Sequence, residues 1–184
     1  VNDAFVTIAL GTLADYHIEF GSTAGPLRVT MPVNFRHEND PEAGNQWTPA
    51  RFVAAVDPSA HPFDALQSLR SRLRSVRQEP AISISQTLVA GLQELPAALT
   101  TSIVASMVKG SDVVLTDVPG PKQTMSIAGS PVRAIFPLAP VGGAALNFAL
   151  MSYADKACFG ITVDTAAVAD PGRMMELFEN RLQD

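Results

Sequence analysis

The sequence is short of the residues from which most reactive centres are made. Its 184 residues include one cysteine, Cys158, and three histidines, His17, His37 and His61. A lone cysteine forms no internal disulfide, and Cys158 stands in an apolar run beside Phe159. A reducing compartment, the cytoplasm, is therefore the expected setting. Basic residues are outnumbered thirteen to eighteen, for a net charge of -5. A phosphate backbone is bound by clustered Lys and Arg, so nucleic acid is excluded as the main partner. No stretch approaches the roughly 20 apolar residues that span a bilayer, and no basic-then-apolar leader opens the chain. Membrane contact, where it occurs, is expected to be peripheral.

Absent motifs narrow the chemistry further. His37-Glu38-Asn39-Asp40 begins like a zinc-protease helix but lacks a second histidine four residues after the first, and Pro41 breaks the helix that would align the pair. His61 precedes Pro62 and reads as a helix-entry residue. His17 closes the first helical stretch, where a histidine suits the carbonyl-rich end. Gly21-Ser22-Thr23-Ala24-Gly25 misplaces its serine for the Gly-x-Ser-x-Gly elbow of a serine hydrolase. No Walker loop and no Gly-x-Gly-x-x-Gly turn occurs, so nucleotide binding by those routes has no support.

What is present is a core. The composition, 47% apolar and 17% charged, suits one globular domain over residues 1–184. The chain opens Val1-Asn2-Asp3 without an initiator Met and runs straight into an apolar segment, so a fragment of a longer protein is expected. Residues 4–16 repeat Phe5, Ile8, Ala9, Leu13 and Tyr16 at helical spacing, with Val6 and Leu10 on the other side. The spacing predicts a helix buried on most faces and capped by Asn2 or Asp3. Residues 27–36 alternate as a strand, and a loop over 38–46 leads to a second strand at about 51–56. A helix is expected from Pro62 to Glu79, then either two helices over 86–95 and 97–108 or one helix kinked at Pro96.

From Asp112 the period changes to two. Strands are predicted over 113–118, 125–127, 132–136, 145–153 and 158–163, as a mostly antiparallel meander, followed by a helix from Asp170-Pro171-Gly172. Early helices and late strands predict an α+β fold, one mixed, mostly antiparallel sheet with helices packed on one face.

Three features invite a functional reading beside a structural one. Arg70, Arg74 and Arg77 share one helical stripe, suited to the phosphates of coenzyme A or an anionic membrane, or to a solvated face whose Arg stems cover apolar surface. Residues 95–108 carry no charge and suit either a lipid interface or a buried or partner-covered helix. Pro119-Gly120-Pro121 suits a sharp turn whose backbone lies close to a ligand or to a neighbouring strand.

Taken in order, several short pieces resemble the carboxy-terminal domain of the bifunctional wax ester synthase / diacylglycerol acyltransferase family. Asn2-Asp3 at the head of an apolar helix resembles the family's Asn-Asp motif. Met31-Pro32-Val33-Asn34-Phe35-Arg36, followed by Gly44-Asn45-Gln46, resembles its Pro-Val-Ser-x-Arg strand and Gly-Asn loop. Thr116-Asp117-Val118-Pro119-Gly120-Pro121 is similar to its Ser-Asn-Val-Pro-Gly-Pro motif. Ala128-Gly129, Phe136-Pro137-Leu138-Ala139-Pro140, Leu146-Asn147, Ser152-Tyr153 and Phe159-Gly160 keep the family order.

The resemblance implies a chloramphenicol acetyltransferase-like, condensation-domain-like half of a two-domain acyltransferase, whose two halves enclose a tunnel. It implies that a His-His-x-x-x-Asp-Gly motif in the amino-terminal half supplies the general base for attack of an alcohol on an acyl-coenzyme A thioester. This chain lacks that motif and is expected to be inactive alone. The implied partners are the amino-terminal half, acyl-coenzyme A, and a diacylglycerol or fatty alcohol. No cofactor is implied beyond that substrate.

The implied substrate-binding residues are Asn2, Asp3, Val118, Pro119, Gly120, Pro121 and Asn147. No residue of this chain is implied to be catalytic or to ligate a metal. An uncovered half-tunnel is also expected to self-associate or to copurify with its partner. Peripheral contact with membrane or lipid droplets fits the same reading. Asp117 stands where the family has Asn, and Ala145 where a Gly precedes Leu-Asn; an acid at position 117 loses a donor and adds charge beside a thioester or phosphate. The rival expectation is a non-catalytic lipid-binding or scaffolding module that reuses the fold.

Overall fold

The computed structural model describes residues 2–23, 25–34, 47–55, 64, 67, 69–71, 96 and 110–183. Helix α1, Asn2–Glu19, is longer than its apolar period suggests and takes Asn2 and Asp3 into its first turn. Its buried positions, Phe5, Val6, Ala9, Leu10, Leu13, Ala14 and Tyr16, lie on most sides, as their spacing predicts. Thr12 is fully buried among them because its hydroxyl donates to the Ile8 carbonyl at 2.9 Å. At the far end Gly21 adopts φ 73°, and Ser22 N donates to His17 O at 2.8 Å, which satisfies a terminal carbonyl. His17 Nδ1 donates to Leu13 O at 2.7 Å, the terminal role expected of it.

Strands β1, Leu27–Asn34, and β2, Trp47–Ala54, pair antiparallel along all eight residues. β2 thus starts four residues before the alternation beginning at Arg51. β3, Val113–Pro119, β6, Leu146–Tyr153, and β7, Lys156–Val163, fall where the β-branched runs predict. A short hairpin separates them: β4, Ser126–Ile127, and β5, Ser130–Pro131, turn through Ala128 and Gly129, both at positive φ. Helix α2, Pro171–Gln183, closes the chain. Pro171 takes the first helical position and the Asp170 carboxylate accepts from Arg173 N at 2.9 Å, so the Asp-Pro-Gly start behaves as read.

Two expectations need correction. The five-stranded sheet runs β2-β1-β3-β6-β7, and β3 is parallel to both its neighbours, β1 and β6. The sheet is mixed as predicted, but its centre is not a meander: the antiparallel pairs, β1 with β2 and β6 with β7, lie at the two edges. Alternation reports which face a residue takes and says nothing of which strand lies beside it.

The strand predicted over 132–136 does not form. Residues 132–140 run as an irregular strap, because Pro131, Pro137 and Pro140 contribute no ladder donors and side chains hold the backbone instead. Tyr153 Oη donates to Val132 O at 2.8 Å and accepts from Met125 N at 2.9 Å. Lys156 Nζ donates to Arg133 O at 3.0 Å, and Asn147 Nδ2 donates to Pro140 O at 2.9 Å. Residues 64, 67 and 69–71 are helical within the predicted 62–79 helix. The rest of that helix, the 86–108 helices apart from Pro96, residues 35–46, His37, His61, Arg74 and Arg77 lie outside the described residues.

Register fixes the core. Val29 and Met31, Ala50 and Phe52, Val113 and Leu115, Leu146, Phe148 and Leu150, and Phe159 and Ile161 share one face of the sheet. Helices α1 and α2 cover that face: Phe178 packs on Phe148 and Phe159 with ring centroids 5.3 Å apart, and Phe5 reaches Phe159 at 6.1 Å. The helices are tied to each other by Arg181, paired with Asp15 at 2.6 Å, and by Arg173, which bridges Glu19 and Glu176. Gly11 lets the Arg181 side chain cross α1 closely.

Candidate functional site

Parallel pairing of β3 and β6 brings their carboxyl ends side by side, with Asp117 opposite Leu150, Val118 opposite Met151 and Pro119 opposite Ser152. The turn after β3 is pressed onto β6. Gly120 N donates to Ser152 Oγ at 3.2 Å, Ala154 N donates to Pro121 O at 2.8 Å, and a Cβ on Gly120 would stand 2.0 Å from Ser152 O. The close approach that selects glycine here is therefore to a neighbouring strand. Val118 points to the face opposite the helices and is 38% exposed.

The first turn of α1 reaches the same end. Phe5 meets Phe159, Phe159 lies opposite Leu150, and Leu150 lies opposite Asp117. At the other end of α1, the Tyr16 hydroxyl accepts from Asp170 N, beyond the finish of β7. Asn2 and Asp3 are half-buried, and Asp3 pairs with Arg70 at 3.1 Å. This ion pair gives one member of the predicted arginine stripe a structural partner.

Asn147 is placed differently. It sits near the start of β6 on the face away from the helices, opposite Val114 and Thr162, and is buried. Its Oδ1 accepts from Thr116 Oγ1 at 3.2 Å while Nδ2 holds the strap at Pro140. Asn2, Asp3 and residues 118–121 thus lie toward the same end of the sheet, and Asn147 anchors the strap elsewhere. Sequence reading missed Thr116 and Tyr153 as anchoring groups. Residues 147, 149, 151 and 153 share a face in strand alternation, and that was the available signal.

At the opposite end of the sheet, Arg28, Arg51, Gly110 and Ser111 line a shallow groove. Arg28 is engaged there by the Asp112 carboxylate, through its backbone N at 2.7 Å and its guanidinium at 3.1 Å. The Arg28 side chain holds the Asp112 carboxyl below its ordinary range, and Asp112 in turn raises the guanidinium. The Thr30 and Ser111 hydroxyls are hydrogen-bonded to each other beside it. Among the described residues no group of His, Cys, Asp and Glu is placed to hold a metal ion, and no helix is long and apolar enough to cross a membrane.

This arrangement, a mixed sheet with helices on one face among the described residues, is shared with other solved structures. The wax ester synthase/diacylglycerol acyltransferase from Marinobacter aquaeolei VT8 superposes with a TM-score of 0.66 at 21% identity, over 99% of this chain and 42% of that one. The nonribosomal peptide synthetase FmoA3 gives 0.57 at 16% identity, over 98% of this chain and 18% of that one. The fold is therefore α+β and is shared with the wax ester synthase/diacylglycerol acyltransferase and with the starter condensation domain of rhizomide synthetase RzmA, which superposes with a TM-score of 0.53 at 12% identity, over 97% of this chain and 40% of that one.

The WS/DGAT C-terminal domain model matches residues 43–184, and the chain belongs to that family. A Mycobacterium tuberculosis protein named as a diacylglycerol O-acyltransferase is 31% identical over 183 residues, covering 100% of this chain and 36% of its own length. A second from that organism, named diacylglycerol O-acyltransferase tgs1, is 30% identical over 159 residues, covering 84% of this chain and 34% of its own length. The chain thus spans about a third of the curated relatives it matches.

Proposed function

We propose that this chain is the tunnel-forming carboxy-terminal domain of an acyl-coenzyme A-dependent O-acyltransferase that makes triacylglycerol or wax esters. The observation that supports the reading is the Val118–Pro121 turn pressed onto the carboxyl end of β6, at the end of the sheet toward which the α1 first turn lies. Substrates of open α/β sheets bind at such strand ends. A helix amino terminus there favours developing negative charge, such as that on a thioester oxygen under attack.

In this reading a histidine of the amino-terminal half takes the proton of the acceptor hydroxyl. The alcohol oxygen bonds to the acyl carbon, the carbon–sulfur bond breaks, and the proton passes to the departing coenzyme A thiolate. Asn2, Asp3 and Val118–Pro121 shape the wall at which this occurs, and Asn147 holds the strap on the face away from the helices. The acceptor is a diacylglycerol or a fatty alcohol, and no cofactor beyond acyl-coenzyme A takes part. A cytoplasmic protein touching membrane or lipid droplets at its periphery fits these substrates.

The test is thiol release from long-chain acyl-coenzyme A in the presence of diacylglycerol or fatty alcohol. The full-length protein turns over and residues 1–184 alone do not. Asn2→Ala in the full-length protein lowers kcat/KM by about tenfold, the size of a lost charge-stabilising contact of about 1.4 kcal/mol, with the unfolding midpoint unchanged. Turnover by the isolated chain would sink the division of labour. Unchanged kinetics for Asn2→Ala would favour a non-catalytic lipid-binding or scaffolding module.

A further inference from the structure

The groove at the amino-terminal end of β3 holds a cation that the fold leaves without a counter-charge. Arg28, Arg70, Arg173 and Arg181 each pair with a carboxylate, and Arg51 pairs with none among the described residues. Arg51 is exposed, and its Nη1 lies beside Gly110, 3.6 Å from where a Cβ there would stand.

Register sets what stands around it. Val29, Met31, Ala50 and Phe52 take the helix face, so Arg28, Thr30, Arg51 and Val53 take the other, with Thr30 opposite Arg51 and Arg28 opposite Val53. The Thr30 hydroxyl is bonded to that of Ser111, which is 6% exposed. In such a pair one hydrogen is spent between the two oxygens and the second is left to donate outward. The Asp112 carboxylate is committed to Arg28, accepting from its backbone N, Nε and Nη2. Two guanidiniums against one carboxylate leave the groove with one positive charge in excess.

We infer that this groove binds a tetrahedral oxyanion of the phosphate class, as inorganic phosphate or as a phosphate monoester. Its donors converge from three sides: Arg51 on β2, Arg28 on β1, and the hydroxyl pair that joins β1 to the entrance of β3. A carboxylate offers two oxygens and is satisfied by a single fork, whereas a phosphate brings three acceptor oxygens and a charge near -2. The groove encloses about 160 Å³, room for about five waters at the roughly 30 Å³ each takes in the liquid, and so for one such ion. It lies at the other end of β3 from the Val118–Pro121 turn, roughly 20 Å away along a seven-residue strand. Binding at Arg51 needs nothing from the proposed function; only coenzyme A as the source of the phosphate rests on that reading.

Calorimetric titration of the full-length protein with inorganic phosphate tests the site. One saturable site at millimolar phosphate or below is expected, weakened at least tenfold by Arg51→Ala and equally by Val53→Glu, which sets a carboxylate against Arg51. Arg51→Lys keeps the charge without the fork and is expected to fall between. Positions 51 and 53 are exposed, so circular dichroism is expected to show the same fold in all three variants. Coenzyme A and dephospho-coenzyme A separate the sources. A tenfold loss for coenzyme A alone in Arg51→Ala assigns its 3′-phosphate to the groove, and equal binding of the two in both proteins assigns free phosphate. The inference is overturned by the absence of saturable phosphate binding, by affinities that Arg51→Ala and Val53→Glu leave unchanged, or by acetate displacing phosphate equally well. The readout is binding, so a failure of thiol release refutes the acyltransferase reading and leaves the groove's assignment standing.

Discussion

The two faces of the central sheet are closed by different physics. On the helix side, Val29, Val113, Leu115, Phe148 and Leu150 pack against α1 and α2, and removal of apolar surface from water holds the layers together. On the other side stand Thr30, Thr116, Asn147, Ala149, Gly160 and Thr162, and the strap that crosses β6 and β7 is held by hydrogen bonds from Asn147, Tyr153 and Lys156. One face is non-directional and tolerant of similar shapes. The other is directional, so each contact depends on an individual atom.

Substitutions should separate the faces by size of effect. Phe148→Ala opens a cavity against Phe178 and is expected to cost about 3–5 kcal/mol in urea unfolding. Gly160→Ala drives a Cβ into the Pro137 carbonyl and lifts the strap, at a cost of about 2 kcal/mol, within the range for overpacking. Hydrogen exchange should quicken at 132–140 in that variant and stay unchanged in α1; uniform quickening would erase the distinction between the faces.

Asn147→Ala is expected to cost about 1–2 kcal/mol by leaving the Pro140 carbonyl and Thr116 hydroxyl without their partner. The Thr116→Val, Asn147→Ala double variant should cost less than the sum of the two single changes. Additive losses would mean that these groups do not act together.

The smallest effect is titration. Arg28 holds Asp112 below its ordinary pKa of 3.8, and Arg173 holds Glu19 below 4.5. Folded-state values that are depressed contribute stability present above the ordinary values and lost as the pH falls through the depressed ones. Unfolding midpoints should therefore drop below about pH 4, and the Asp112→Asn, Glu19→Gln variant should show a shallower acid limb. An unchanged limb would leave both pairs without a role in acid stability.

Much of the helix-side layer was legible because its signals are local. Period-two runs at 113–118 and 146–153 and the apolar α1 repeat are written in neighbouring residues, and Asp170-Pro171 carries its own start signal. The central position of β3 was not, since parallel pairing depends on contacts more than thirty residues apart in sequence. Val132, Ile135 and Phe136 look like a strand in composition, yet Pro131, Pro137 and Pro140 and the reach of Tyr153 decide otherwise. The assignment of Asn2, Asp3 and Val118–Pro121 to one site came from the family resemblance, whereas Gly120 is explained by Ser152, a partner no local pattern names.

The central place of β3 also bears on how the sheet is assembled. The β6–β7 hairpin closes through Ala154 and Asp155, so it can form locally and fast. β3 gains its place only when distant segments meet: the Asp112 clasp on Arg28 at its entrance joins residues 84 apart. Until that loop closes, the β1–β2 ribbon and the β6–β7 hairpin each carry an unsatisfied inner edge. The domain should therefore fold at the slow rates of chains rich in long-range contacts, with insertion of its middle strand as the late step.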